Sequence, residues 1–377
     1  MWTDRSIVRA SVAAAVLGLV VGAAVWMTRS DAPAPAGCSA SRNAVAELAL
    51  QHAAWYDARH LALDAEREYL DVVAMQCGAG LYATERIGQL ELDRGNAQVA
   101  LDMFLRVLST RDPDNASVIA GARSGYVRAY AKLGFRGARA AFQVVAPQHA
   151  LDMLTELADI YLAEGPATDA IATYRELIAA APVDRHACLW QYNIAHTMLN
   201  EPSASDDAKV AEIERLVATS RTSGAQLPAP EAKECHDNAS AMAGDLARAY
   251  HSAHRMAYAD RLYTAYLSAF GDAPDFAVTQ YFAAEARWSL AEATSDAAHW
   301  QRAAETFDRV VKTGGLVPTL ASESTYAAVL AWKNTCNNGA EASCGPSLLA
   351  ALRAYRPLAP TQDLPELDKT VARLTVH

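Results

Sequence analysis

Residues 150–182 constrain the fold of this chain more than any other stretch. They read ALDMLTELADIYLAEGPATDAIATYRELIAAAP. Leu154, Leu157, Ala158 and Tyr161 recur at three- and four-residue spacing, which places them on one face of a helix. Gly165–Pro166 breaks that helix. Ala170 and Tyr174 then set a small and a large apolar residue one turn apart on a second helix, and Pro182 ends it. A helix pair of this length cannot bury its apolar face alone, so it must stack on neighbours.

The spacing resembles the tetratricopeptide (TPR) unit, a helix–turn–helix repeat of about 34 residues. Leu154 stands at the pattern's Trp and Ala158 at its first Gly. Leu157 and Tyr161 occupy the other first-helix positions, Ala170 and Tyr174 the A-x-x-x-F positions, and Pro182 the closing Pro. Looser copies recur. Gly88, Gly95, Ala100, Phe104 and Pro113 keep the spacing, as do Tyr250, Ala259 and Tyr263. Trp300, Ala303 and Phe307 match the second helix only, behind an insertion around Ala293–His299, and Tyr130, Gly134 and Phe142 mark a shortened copy. The expected fold is all-α: a TPR-like α-α solenoid over residues 41–377, its best repeat at 150–182, with an N-terminal transmembrane or signal helix. Two stretches stand apart from the repeat. One is an interruption at about 200–232, made of a helix Ala208–Arg221 and the loop TSGAQLPAPEAKE. The other is a C-terminal cap at about 327–377, with helices at Pro346–Tyr355 and Leu364–His377.

Residues 1–29 read as a signal anchor or signal peptide. Ala10–Met27 carries no charge, and Arg5 and Arg9 precede it. The run is just long enough to span a bilayer. Residues 30–40 form an Ala/Pro linker with Ala-x-Ala cleavage sites at Ala32–Ala34 and Ala34–Ala36. Gly37–Cys38 looks like the end of a lipobox, although Pro35 stands where an aliphatic residue belongs. Retention in the inner membrane through residues 10–27, cleavage, and lipidation at Cys38 are all open on the sequence. In each case the remainder faces the periplasm. The formal net charge of −10 and the lack of a long basic run argue against nucleic-acid binding.

Six cysteines follow this segment: Cys38, Cys77, Cys188, Cys235, Cys336 and Cys344. An even count behind an export signal implies disulfides. Cys336 and Cys344 flank the turn-rich NNGAEAS. Cys188 and Cys235 each follow a turn or loop and should each begin a helix, so a bridge between them would pin the ends of the interruption together. No P-loop, GxGxxG, HExxH, GxSxG or CxxC occurs. The expectation is a non-enzymatic chain without cofactor. His251 and His254 lie three apart but lack a third ligand, and the adjacent Cys235, His236 and Asp237 point in different directions along a helix, unlike a triad. In a TPR the first helix of each unit lines the concave side. That register gives Tyr82, Glu85 and Gln89, then Asp152, Thr155 and Asp159, then Arg248 and His251 as a partner groove. The set is polar and partly acidic, suited to a basic or polar peptide of a protein partner.

Three segments carry a more specific likeness: ACLWQYN at Ala187–Asn193, KECHDNASAMAGDLARAYH at Lys233–His251, and YAAVLAWKNTC at Tyr326–Cys336. Together they resemble the TPR proteins of the myxobacterial adventurous gliding-motility machinery and their paralogues, over about Gly95 to Cys336. The resemblance implies a cell-envelope scaffold that joins proteins into a complex and has no catalytic residues. The chain departs from that group in its lipobox. Two other classes compete: an envelope enzyme with a dispersed active site, and a membrane-anchored TPR receptor facing the cytosol.

Overall fold

The structure, a computed structural model, describes residues 38–110, 113–223, 227–337 and 341–375. The N-terminal apolar stretch and the cleavage sites of the linker lie outside the described residues. Among the described residues there is no strand, and no helix is long and apolar enough to cross a membrane. The chain divides into two compact units at Pro166–Ala167. The boundary falls inside the 150–182 repeat.

The first unit contains α1 (Ala40–Asp57), α2 (Ala62–Ala74), α3 (Gly80–Asp93), α4 (Ala97–Leu108), α5 (Ala116–Leu133), α6 (Ala138–Val145) and α7 (Ala150–Glu164). Helices α1 to α5 each pack on the next, and α5 packs on both α3 and α7. Contact between alternate helices as well as consecutive ones is the packing of stacked helix pairs. The shortened copy is α5 with the eight-residue α6. Gly134, at φ 64°, ends α5, and the Phe142 ring of α6 meets Tyr126 and Tyr130 of α5 edge-on.

The second unit contains α8 (Ala167–Ala180), α9 (Ala187–Asn200), α10 (Asp206–Ser223), α11 (Ala229–Ser252), α12 (Met256–Ala269), α13 (Phe276–Thr294), α14 (Ala297–Thr313), α15 (Pro318–Thr335), α16 (Glu341–Tyr355) and α17 (Leu364–Thr375). Every helix packs on the next, and α10 also packs on α12. Both units are TPR-like arrays of helix pairs. The 150–182 copy is split because α7 packs back on α5 and α6 while α8 packs forward on α9.

Three expected boundaries change. The interruption at about 200–232 is instead part of the array: α10 buries Val210, Ile213, Leu216 and Val217 against its neighbours. Its charged outer face masked the apolar stripe. The insertion at Ala293–His299 is a two-residue turn. Ser295 takes a left-handed φ of 54°, and the Asp296 side chain accepts from the Ala298 N–H at 2.8 Å to cap α14. The C-terminal cap cannot begin at Ala327, which lies within α15. Helix α16 starts at Glu341, ahead of Pro346, and α17 packs on it as the terminal helix.

A small residue followed one turn later by an aromatic organises the core. Ala100 and Phe104, Ala170 and Tyr174, and Ala259 and Tyr263 are all fully buried, and Ala303 and Phe307 nearly so. Phe104 shows why small partners are needed. A Cβ on Gly88 of α3 would lie 2.7 Å from its Cε1, and a Cβ on Gly125 of α5 would fall inside its ring edge. The ring is held on all sides and has nowhere to go. Gly125→Ala should therefore destabilise the first unit by about 1–3 kcal/mol, as overpacking does. Urea unfolding checks this, and an unchanged midpoint would contradict the wedge.

Three disulfides staple the array. Cys38 pairs with Cys77, Cys188 with Cys235, and Cys336 with Cys344, with Cα atoms 5.3, 6.0 and 5.6 Å apart. The first bridge was not anticipated. It ties the start of α1 to the α2–α3 turn, and a sulfur so bonded cannot also carry the thioether of a lipidated cysteine. Cys188 does begin its helix, but α11 starts at Ala229, so Cys235 sits in its second turn. This bridge links α9 to α11, the two helices that flank α10. Closing a loop of 47 residues restricts the unfolded chain. The Cys188→Ala/Cys235→Ala double variant should lose about 2–4 kcal/mol in the second unit, measured as a lower urea midpoint of its unfolding transition. Loss of less than a tenth of that range would show the bridge to be dispensable.

Candidate functional site

Three first helices of the second unit, α11, α13 and α15, open onto one cleft. Helix α13 contributes Tyr281, Glu285 and Trp288 at i, i+4 and i+7, the spacing of a single helix stripe. Helix α15 contributes Glu323, Tyr326 and Leu330. His251 stands near the end of α11, His254 follows in the turn, and Met256 begins α12. The main cleft has a volume of 420 Å³, and a second of 230 Å³ continues from it, sharing His251 and Glu285 and adding Arg248, Tyr263 and Phe282.

An aromatic lattice holds the wall of the main cleft. Trp288 meets Trp300 edge-on at 4.9 Å between centroids and Phe307 at 6.3 Å, and Tyr281 meets Phe307 at 6.4 Å. Tyr326 lies 5.1 Å from Tyr355 and remains 46% exposed, so its face is available. Edge-to-face packing fixes ring orientation without covering every face.

The cleft is electrostatically negative. Burial pushes the Tyr281 hydroxyl far above the usual tyrosine range, and so do its hydrogen bond to Glu285 and the charges of Glu285 and Glu323. Burial lowers the pKa of His251, which is thus neutral near pH 7 and adds no positive charge. Its Nδ1 lies 3.3 Å from the Tyr263 hydroxyl, itself pushed up to about 12 by burial. Arg248 is committed elsewhere: it donates to Asp245 at 2.7 Å and to Asp275 at 3.3 Å. Among the described residues neither Glu285 nor Glu323 forms an ion pair with Lys or Arg.

The residues expected to line a groove separate into two places. Arg248 and His251 border the cleft. Tyr82, Glu85 and Gln89 lie on α3 of the first unit, where they serve helix packing. Glu85 is only 7% exposed, accepts from Gln89 at 2.9 Å, and is raised in pKa by burial; Gln89 accepts in turn from Arg128 of α5 at 2.7 Å. On α7, Asp152 is exposed with His149 at 3.4 Å, Thr155 donates to the Leu151 carbonyl at 2.9 Å, and Asp159 is exposed. The reading from sequence missed Tyr281, Glu285 and Trp288 of α13 and Glu323 and Tyr326 of α15, because neither helix keeps the pattern's marker residues. The signal present was the alternation of aromatic and acidic residues on one stripe just ahead of the Trp300–Phe307 helix.

Glu212 on α10 is a buried charge of the second unit, 2% exposed. Burial alone would raise its pKa. Hydrogen bonds from Gln191 at 3.0 Å and from Arg175 and Arg215 outweigh that cost, and the net shift is downward. Its oxygens are saturated by side chains of α8, α9 and α10, so it holds helices together and has no lone pair directed at solvent chemistry. A depressed folded-state pKa gives stability that is present above the ordinary carboxylate range and lost as pH falls through the folded value. Glu212→Gln should flatten the acid limb of the second unit's stability curve. Thermal melts between pH 7 and pH 3 that fall in parallel for both proteins would refute that role. Among the described residues no group of three or more His, Cys, Asp or Glu is arranged to hold a metal.

No protein-family model matches the chain, and no curated protein matches it. Solved structures of low similarity include a tetratricopeptide repeat protein from Parabacteroides merdae, at 11% identity over 81% of this chain and 98% of that one, with a TM-score of 0.24. The apo form of the quorum sensor NprR from B. thuringiensis matches at 12% identity over 88% of this chain and 87% of that one, with a TM-score of 0.23. Yeast Tom70 matches at 9% identity over 89% and 96%, with a TM-score of 0.20. At these scores the architecture rests on the packing within each unit, and function rests on the cleft.

Proposed function

We propose that this chain is a non-enzymatic scaffold that binds segments of other proteins along the first helices of its helix pairs, in the bacterial cell envelope. The observation that carries the reading is the cleft of the second unit. Helices α13 and α15 place half-buried and exposed rings and carboxylates around a cleft of 420 Å³ that His251 of α11 also borders, within the range of about 300–1,000 Å³ for ligand sites. Stacked helix pairs bury their shared faces and leave such side chains presented on rigid elements.

The location rests on separate grounds. Three disulfides among six cysteines fit an oxidising compartment. Arg5, Arg9 and the uncharged Ala10–Met27 fit export or anchoring in the inner membrane. Both features weigh against a receptor whose helices face the reducing cytosol. The resemblance around Ala187–Asn193, Lys233–His251 and Tyr326–Cys336 supports membership of a multiprotein envelope assembly, with gliding motility as the process to examine first.

A photoreactive residue at Leu330, inside the cleft, should give discrete protein adducts in intact cells. The same residue at the exposed Gln301 on α14 serves as the outward-facing control. Adducts no stronger at Leu330 than at Gln301 would remove the scaffold reading. In the same envelope fractions, an alkylating reagent should find no free thiol before reduction, and free thiols throughout would remove the oxidising location.

A further inference from the structure

The cleft has a chemical preference that helix packing does not require. Glu285 of α13 and Glu323 of α15 both line it, and neither is neutralised by Lys or Arg among the described residues. Around them stand the rings of Tyr281, Trp288 and Tyr326. A ring face carries negative electrostatic potential and attracts a cation positioned over it, most strongly for Trp. Lys and Arg combine a long apolar stem with a terminal charge, so one side chain satisfies both parts of such a wall. The molecule already uses this contact on its surface: the Arg59 guanidinium lies 3.8 Å from the Trp55 ring centroid, and that of Arg255 lies 5.0 Å from Tyr258.

The local positive groups do not compete for the carboxylates. Arg248 is held by Asp245 and Asp275, and His251 is kept neutral by burial. An anionic segment would meet two carboxylates with no counter-charge. A wholly apolar one would strip water from them without replacing it, which costs more than the rings return.

Resting on the scaffold reading above, we propose that the α11–α13–α15 cleft recognises a Lys- or Arg-bearing segment of a protein partner. The cation sits between Glu285 and Glu323 and against the faces of Trp288 and Tyr326. The wide opening and the single stripe from each helix suit an extended segment better than a folded domain.

Hexalysine, hexaarginine, hexaglutamate and fully Nε-acetylated hexalysine are suitable probes, titrated into the full chain with the intrinsic Trp fluorescence as readout. Hexalysine and hexaarginine should bind, hexaglutamate and acetylated hexalysine should not, and affinity should fall as salt rises. The Glu285→Gln/Glu323→Gln variant should lose at least about tenfold, or about 1.4 kcal/mol, and Tyr326→Ala a smaller amount. The Glu231→Gln/Glu234→Gln variant removes the same net charge from exposed positions outside the cleft and should bind as wild type. An equal loss in that control would reduce the effect to overall charge and overturn the proposal. So would tighter binding of spermidine than of either cationic peptide, which would make the site one for free polyamines. If the cationic peptides fail while the Leu330 cross-link still forms, the cationic assignment falls and the scaffold reading stands. If both fail, both fall.

Discussion

An aromatic side chain on a second helix, wedged between small residues of its neighbours, is the contact on which the rest of this molecule depends. Phe104 between Gly88 and Gly125 is its tightest instance. Tyr174 beside Ala170 and Tyr263 beside Ala259 repeat the arrangement with full burial. The hydroxyls of these tyrosines still need partners. Tyr174 accepts from Asn193 of the next helix at 3.0 Å, and Tyr263 faces His251 at 3.3 Å. The ring fills the space that a small neighbour leaves, and the hydroxyl reaches an adjoining helix, the following one for Tyr174 and the preceding one for Tyr263.

Polar groups then decide where the stack is fastened. Glu212 gathers donors from α8, α9 and α10, and the Cys188–Cys235 bridge spans from α9 to α11 across that same helix. Helix α10 is thus secured by a buried charge and a covalent staple in addition to its apolar stripe. Arg261 on α12 adds a paired contact to Glu214 of α10. In the first unit Asp57 of α1 accepts from Arg86 of α3 at 3.1 Å, Arg94 at the end of α3 bridges Glu66 of α2 and the buried Glu91, and Cys38–Cys77 holds the start of α1. On the first-helix face of α13 the rings of Tyr281 and Trp288 pack on the core with one side and line the cleft with the other.

Much of the fold was legible because helix pairing is a local property. The small-then-aromatic spacing lies within one turn, and the breakers between helices are adjacent residues, so Ala100–Phe104, Ala170–Tyr174 and Ala259–Tyr263 could be read directly. The cleft was less so. Arg248 and His251 followed from the register of a recognised copy. Glu285 and Glu323 lie 38 positions apart, on helices with no marker residues, and only the tertiary fold brings both to the lining of one cleft. Helix α10 was misjudged for a similar reason. Its apolar stripe is ordinary, and what incorporates it into the array is burial against α9, α11 and α12.

By itself the sequence determined an all-helical chain built from stacked pairs, because periodicity and turn residues act over a few residues and need no tertiary partner. It also made disulfides a natural reading of six cysteines, an even count. Tertiary structure alone decided that Cys38 meets Cys77, that the array divides at Pro166–Ala167, and that two carboxylates and three rings share one cleft. Those outcomes depend on which helix packs on which. That is set by the fit of many side chains at once, and no single spacing along the chain encodes it.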